Sequence, residues 1–249
     1  MNEEIFAMGN DVSVSQLGRD FVLNTAKYRY TYHFESLGVP IIQLPQDMVA
    51  IQELIWSVKP DLIIETGVAH GGSLIMSAAM LALLDMSEAI ARGTTFDPKM
   101  SSRRVLGIDI DIRENNKKII ESHPMSSRIQ LIQGSSTAPE IVEKAHTIAR
   151  KHDRVLVLLD SNHTHEHVLA ELEAYAMLTS VGSYCVVFDT LIEDAPESMF
   201  PDRDWGQGNS PKTAVWEYLK KSENFVIDKN IEYKLLATVA PDGYLQRVK

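Results

Sequence analysis

Five short runs of apolar residues recur along the chain, each closing on an acid or an amide: Asp61–Glu65 (DLIIE), Arg104–Asp109 (RVLGID), Ile129–Gln133 (IQLIQ), Arg154–Asp160 (RVLVLLD) and Ser183–Asp189 (SYCVVFD). Their near-continuous Val, Ile and Leu content is the pattern of strands covered on both faces. Between them, apolar residues three and four apart predict helices over Gly72–Met86, about Arg113–Ser122, Thr137–Lys151 and Thr164–Leu178. Val168, Leu172 and Ala176 form one such row. Strands alternating with helices of this length predict right-handed crossovers and a doubly wound, mostly parallel α/β sheet. Ligands in such sheets bind at the carboxyl ends of the strands, so the acids closing the runs carry the interest.

The flanks break this rhythm. Residues 1–45, with a Tyr-rich stretch (Lys27–Phe34) and the segment VPIIQLPQD at its end, read as an appendage before a helix predicted from about Asp47 to Val58. Residues 46–249 read as the main domain. After Asp194 comes a Gly-, Pro- and Asp-rich loop (DAPESMFPDRDWGQGNSP), of a length uncommon outside lids and binding elements. A helix over Pro211–Lys221 and two strand-like runs, Phe225–Asp228 and Lys234–Val239, complete the prediction.

A chain of 249 residues is long enough for one large domain with a well-filled core, and 45% apolar against 23% charged residues is an ordinary globular balance. The segment MNEEIFAMGN has neither a basic n-region nor an apolar h-region, and no run of eighteen apolar residues occurs. A cytoplasmic location without a membrane partner is therefore the expectation. Cys185 has no second cysteine to pair with and reads as a packed thiol in a reducing compartment. The formal net charge of −10 argues against a nucleic-acid partner, whose binding needs Lys and Arg to neutralise phosphates. The short basic cluster Arg103, Arg104, Lys117 and Lys118 reads as solvated surface.

The candidate chemistry follows the strand ends. The first run passes into Glu65-Thr66-Gly67-Val68-Ala69-His70-Gly71-Gly72-Ser73 and then a helix. Glycines there let backbone approach a ligand, and the helix N-terminus offers free N–H groups to an anion. The spacing differs from the dinucleotide fingerprint, which speaks against a nicotinamide-dependent oxidoreductase. At the second strand end Asp109, or alternatively Asp111, is placed to meet ribose hydroxyls, and either can instead cap the next helix. The third ends in Gly134, Ser135 and Ser136, small residues able to pass beside an adenine ring.

The fourth strand end, Asp160-Ser161-Asn162-His163-Thr164-His165-Glu166-His167, carries the strongest signal. Asp160 can hold a hard cation while an imidazole accepts a proton near neutral pH. His163, at the loop-to-helix junction, is the preferred base, and His165 and His167 are expected on the exposed side of the helix. Asp189, on the neighbouring strand, can reach the same cation. No CxxC or HExxH spacing supports zinc.

From about Tyr28 to Lys249 the chain resembles the cephalosporin hydroxylase or rhamnosyl O-methyltransferase-like family, whose members have the class I S-adenosylmethionine-dependent O-methyltransferase fold. The carriers are PIIQLPQDM, ETGVAHGGS, GIDID, DSNHTHEHVLAEL, DWGQGN and GYLQRVK. The resemblance implies a Rossmann-like sheet of about seven strands and makes residues 46–249 an S-adenosylmethionine-binding domain. It assigns Glu65, Gly67 and Ser73, with Gly71 in the same loop, to the methionine end of the cofactor. Asp109 goes to the ribose, and Gly134, Ser135 and Ser136 to the adenine. It implies magnesium at Asp160 and Asp189, with Asp160 also beside the cofactor, and His163 as general base. The similar catechol O-methyltransferases carry a lysine base at the same three-residue offset from their first metal aspartate. One departure stands out, because Phe188 occupies the place where relatives carry an acid before the last metal aspartate, and Thr190 is a substitute donor.

The implied reaction is methyl transfer to a hydroxyl of a sugar or glycosylated small molecule, with Tyr30, Tyr32, Trp205 and Tyr244 as residues that can stack on it. The resemblance also implies a homo-oligomer, with the appendage against another subunit. A non-catalytic S-adenosylmethionine-binding partner protein is the rival from another class.

Overall fold

A computed structural model describes residues 2–249. Two helices, α1 (Asn2–Asn10) and α2 (Val12–Ala26), precede a small hairpin, β1 (Phe34–Ser36) with β2 (Val39–Ile41), and α3 (Pro45–Val58). The alternating region then runs β3 (Leu62–Thr66), α4 (Gly72–Arg92), β4 (Arg104–Asp109), α5 (Glu114–Ser122), β5 (Ile129–Gln133), α6 (Pro139–Ala149), β6 (Val155–Leu159), α7 (His165–Tyr175) and β7 (Tyr184–Val187). The chain closes with α8 (Pro211–Lys221), β8 (Phe225–Ile227), α9 (Lys229–Leu235) and β9 (Tyr244–Arg247).

Seven strands form one sheet in the order β5-β4-β3-β6-β7-β9-β8. The first five are parallel, and β9 runs antiparallel to both its neighbours. This is the doubly wound, mostly parallel sheet that the alternating runs predict. Side chains alternate across it, as a period of two requires. Ile63, Leu156 and Leu158 join the cluster under α3 and α4, while Leu62, Ile64, Val155 and Val157 join the one under α6, α7 and α8. Each fully buried Leu or Ile contributes about 1.5–3 kcal/mol, and because both faces are covered the strands need no polar positions.

Helix α4 is longer than its predicted end at Met86. Gly93, at φ 64°, provides the left-handed residue that closes it. Among the described residues it is the one helix long and apolar enough to cross a membrane. Leu74, Ile75, Ala78, Leu81 and Leu84 are nevertheless buried in this fold, as in the core helix of a globular domain.

The run Lys234–Val239 is not the strand its composition suggests. Asp228 accepts the Asn230 N–H at 3.1 Å and starts α9, which ends where Leu236 turns to φ 58°. Ala237 and Val239 are apolar because they enter the core from a loop. The last strand is Tyr244–Arg247, paired with β7 and β8.

Residues 2–45 pack onto the same chain. Phe6 meets Tyr233 edge-on at 6.1 Å, and Val22 and Leu44 are buried in the core cluster under α3 and α4. A Cβ on Gly18 would lie 2.5 Å from the Leu236 carbonyl oxygen, so α2 crosses the end of α9 at a distance only glycine permits.

The two ends of the alternating region are tied by Asp47, in the first turn of α3. Its fully buried carboxylate accepts hydrogen bonds from Thr238 Oγ1, from the Val239 N–H at 2.9 Å and from Tyr244 Oη at 2.7 Å. Burial dominates these bonds and pushes its pKa up to about 6. The folded chain therefore holds a proton here that the unfolded chain has released, and stability falls as pH rises between about 4 and 6. A rise from the ordinary 3.8 to about 6 is worth roughly 3 kcal/mol of lost stability once the group is ionised. Urea midpoints of the wild type and D47N between pH 4.5 and 7 are expected to show a shallower fall for D47N, which cannot ionise; parallel profiles would contradict this origin of the pH dependence.

Candidate active site

The strand order reverses at β3, which pairs with β4 on one side and β6 on the other, so a crevice opens at their carboxyl ends. Gly67 lies in it at φ 89°, and a Cβ there would be 2.0 Å from the Asp160 carbonyl oxygen. The loops after β3 and β6 thus touch through a bare α-carbon. Gly71, also at φ 89°, stands before α4 with no side-chain cap, leaving the first-turn N–H groups facing the cavity. G67A is expected to lose about 1–3 kcal/mol from the left-handed backbone alone, and more from the clash. Denaturation midpoints measure the loss, and wild-type stability in G67A would contradict the close approach.

Glu65 is 3% exposed and accepts a hydrogen bond from Ser73 Oγ, while its Oε2 is buried without a partner. Burial raises its pKa to about 7. Asp109 folds back onto the glycine loop, one oxygen accepting the Val68 N–H at 2.7 Å and the other the Asp111 N–H at 3.0 Å. Neither aspartate caps α5, whose N-cap is Arg113 without a side-chain bond. The Gly134 N–H donates to the Asp109 carbonyl, which sets the third strand-end loop beside the second.

A cavity of about 670 Å³ gathers Gly67, Gly71, Ser73, Asp160, His163 and Asp189. Glu65, Asp109, Gly134, Ser135 and Ser136 stand outside its walls: Glu65 reaches it through Ser73, and the others stand at the carboxyl ends of the neighbouring strands. Tyr30, Tyr32 and Trp205 line it, whereas Tyr244, at 1% exposure and bonded to Asp47, belongs to the core.

At the floor, Asp160, His163 and Asp189 each offer a ligand atom within 4.8 Å of the others. His163 Nε2 lies 3.2 Å from Asp189 Oδ2, and Gln43 Nε2 donates to Asp160 Oδ2 at 3.2 Å. Burial, reinforced by the charge of Asp189, lifts the Asp160 carboxyl well above the usual range. Two carboxylates and an imidazole held this close, with like charges opposed, suit a divalent cation with hard oxygen preference. Phe188, 4% exposed, packs in the core, and the buried Thr190 donates its Oγ1 hydrogen to the Pro241 carbonyl. Asp189 itself adopts φ 54°, a left-handed backbone conformation rarely taken by a non-glycine residue.

The loop between Asp194 and Ser210 returns over this floor. Glu193 anchors its far end by accepting from the Gly208 N–H at 2.9 Å and from Ser210 Oγ at 2.6 Å. Trp205 then meets His163 edge-on at 5.4 Å, with Phe200 against its other side at 4.6 Å.

His165 and His167 are not on the exposed side of α7. His165 Nδ1 is 2.8 Å from Thr213 Oγ1 and its Nε2 3.2 Å from Glu217, joining α7 to α8. His167 Nε2 lies 3.1 Å from both Ser136 Oγ and Ser161 Oγ, beside the buried Glu171, and so links the third and fourth strand-end loops. Glu171 and Gln43 escape sequence reasoning: Glu171 sits mid-helix, and Gln43 lies far from Asp160 along the chain.

The family model described as Rhamnosyl O-methyltransferase/CmcI matches residues 28–248. Rhamnosyl O-methyltransferases of Mycobacterium bovis (strain BCG) and Mycobacterium tuberculosis (strain H37Rv) are each 27% identical over 249 residues, covering 98% of this chain and 89% of theirs. Among solved structures, CmcI in its Mg-SAM form aligns with a TM-score of 0.57 at 18% identity, covering 88% of this chain and 78% of that one. CalS11, a TDP-rhamnose 3'-O-methyltransferase of calicheamicin biosynthesis, aligns at 0.53 and 15% identity, covering 99% and 92%. These likenesses show a common fold, and with the family match spanning nearly the whole chain, the protein belongs to the rhamnosyl O-methyltransferase/CmcI family.

Proposed function

We propose that the protein is a magnesium-assisted, S-adenosylmethionine-dependent O-methyltransferase acting on a hydroxyl of a sugar or glycosylated small molecule, with His163 as general base. The observation that carries the proposal is the single cavity in which the glycine loop after β3 adjoins the cluster of Asp160, His163 and Asp189. The bound groups supply an electrophilic methyl carbon and a divalent positive charge. Gly67 and Gly71 leave room for the donor, Ser73 and Glu65 supply hydroxyl and carboxylate at its methionine end, and Asp109 stands at the ribose end. Gly134, Ser135 and Ser136 border the adenine side. Asp160 and Asp189 hold the metal.

The acceptor hydroxyl loses its proton to His163. Asp189 orients the imidazole through Nε2, which leaves Nδ1 as the accepting nitrogen. Trp205 closes the site against water from the lid side. The activities of the mycobacterial relatives and of CalS11 support a rhamnose-type acceptor.

Titration calorimetry with S-adenosylhomocysteine, with and without magnesium, tests the cofactor assignment. Transfer of labelled methyl to a panel of rhamnosides then tests the catalysis. Binding without methyl transfer would favour a non-catalytic partner protein, and no binding would remove both readings.

A further inference from the structure

The cavity carries in its lining two arginines as well as the acids around His163. The carboxylates lining it are Asp160 and Asp189, both beside His163. The arginines, both exposed, are Arg29, just after α2, and Arg203, in the loop between Asp194 and Ser210, where Asp202 and Asp204 flank it without lining the cavity. The chain has 34 acidic against 24 basic residues, so a cation without a carboxylate partner is not forced by a shortage of acids. Neither Arg29 nor Arg203 forms an ion pair among the described residues.

Each guanidinium instead lies over an aromatic ring of the cavity wall. Arg29 is 4.7 Å from the centre of Tyr32, and Arg203 is 5.5 Å from that of Trp205. Such a stack orders the guanidinium while leaving its charge unneutralised and its N–H edge free for a planar or tetrahedral oxyanion. The two arginines come from separate segments, the N-terminal region and the lid, yet share one arrangement at one opening. Arg29 holds it with a left-handed backbone, φ 54°, that a non-glycine residue rarely adopts.

Resting on the methyl-transfer reading, we infer that the acceptor is an anionic sugar, carrying a phosphate or a carboxylate, whose charge Arg29 and Arg203 bind while its hydroxyl reaches His163. A neutral glycoside would leave both guanidinium edges unused. An oxyanion accepts charge-assisted, bidentate hydrogen bonds from them.

The test is calorimetry on the full chain loaded with S-adenosylhomocysteine and magnesium, using methyl rhamnoside, rhamnose 1-phosphate and methyl glucuronoside as probes. One of the charged probes is expected to bind about tenfold or more tightly than the neutral one, and R29M/R203M to lose that advantage. Which charged probe gains distinguishes phosphate from carboxylate. Unchanged affinity of the double variant for S-adenosylhomocysteine is expected as the sign of an intact fold and cofactor site. Three results would overturn the inference: no advantage for either charged probe, an advantage that persists in the double variant because the metal holds the anion, or a loss of S-adenosylhomocysteine affinity that assigns an arginine to the cofactor. A wild-type chain that binds no S-adenosylhomocysteine would strike the underlying methyl-transfer reading instead.

Discussion

His163→Ala is expected to lower methyl-transfer turnover by roughly 10²–10⁴, the range for loss of a positioned general base. The imidazole stands against Asp189, 3.2 Å away, and meets Trp205 edge-on. Affinity for S-adenosylhomocysteine should be unchanged, because the glycine loop proposed to cradle the donor makes no hydrogen bond to His163 among the described residues. Magnesium affinity separates two roles for the ring. As the base, His163 can be removed with little effect on metal binding; as a third ligand, its removal weakens it. Stopped-time assays with labelled donor give the first quantity and calorimetry the second, and turnover within about threefold of wild type would rule out the base.

Asp160→Asn is expected to cost about 10³-fold or more in turnover, the equivalent of several kcal/mol of metal-supplied charge stabilisation. It should do so with an opposite effect on the stability of the metal-free chain. Asp160 is held in a buried setting with Asp189, Glu65, Glu171 and Asp47 all acting to keep it protonated. Replacing it with a neutral amide relieves that repulsion while preserving a partner for Gln43. The thermal midpoint without metal should therefore rise, and the increment that magnesium adds should vanish. A functional carboxylate kept at the expense of stability predicts this pair of signs. A variant that melts lower without metal would mean that Asp160 is a structural acceptor, and an undiminished magnesium response would move the metal elsewhere.

Both expectations concern residues legible in the sequence, because Asp160 sits where a short apolar run stops and His163 follows three residues on. Asp160, Asp189 and Asp109 are evident without knowing how the strands pair, since an acid that closes an apolar run covered on both faces stands at the sheet's carboxyl rim. Gly67 is equally visible as the start of a strand-to-helix loop. Its physical reason is not: the atom a Cβ would strike is the Asp160 carbonyl, in a loop that only the pairing of β3 with β6 brings near.

Local pattern fails where tertiary packing sets the surroundings. KLLATV has strand-like composition, yet Asp228 caps a helix there and the apolar side chains enter the core without pairing. His165 and His167 are polar residues on a helix, which by itself suggests solvent. The neighbouring α8 and the loops after β5 and β6 engage them in hydrogen bonds instead and leave them half-buried.

The alternation of strand and helix, the doubly wound sheet and the acids at its carboxyl rim were determined by the sequence itself, because periodicity and strand termination are properties of consecutive residues. Tertiary structure alone decided that Asp47 clasps Tyr244, that Gln43 steadies Asp160, that Trp205 meets His163, and that two arginines from separate segments line the same cavity. Those contacts join residues far apart along the chain, and their energies depend on burial and orientation, which no local window of sequence contains.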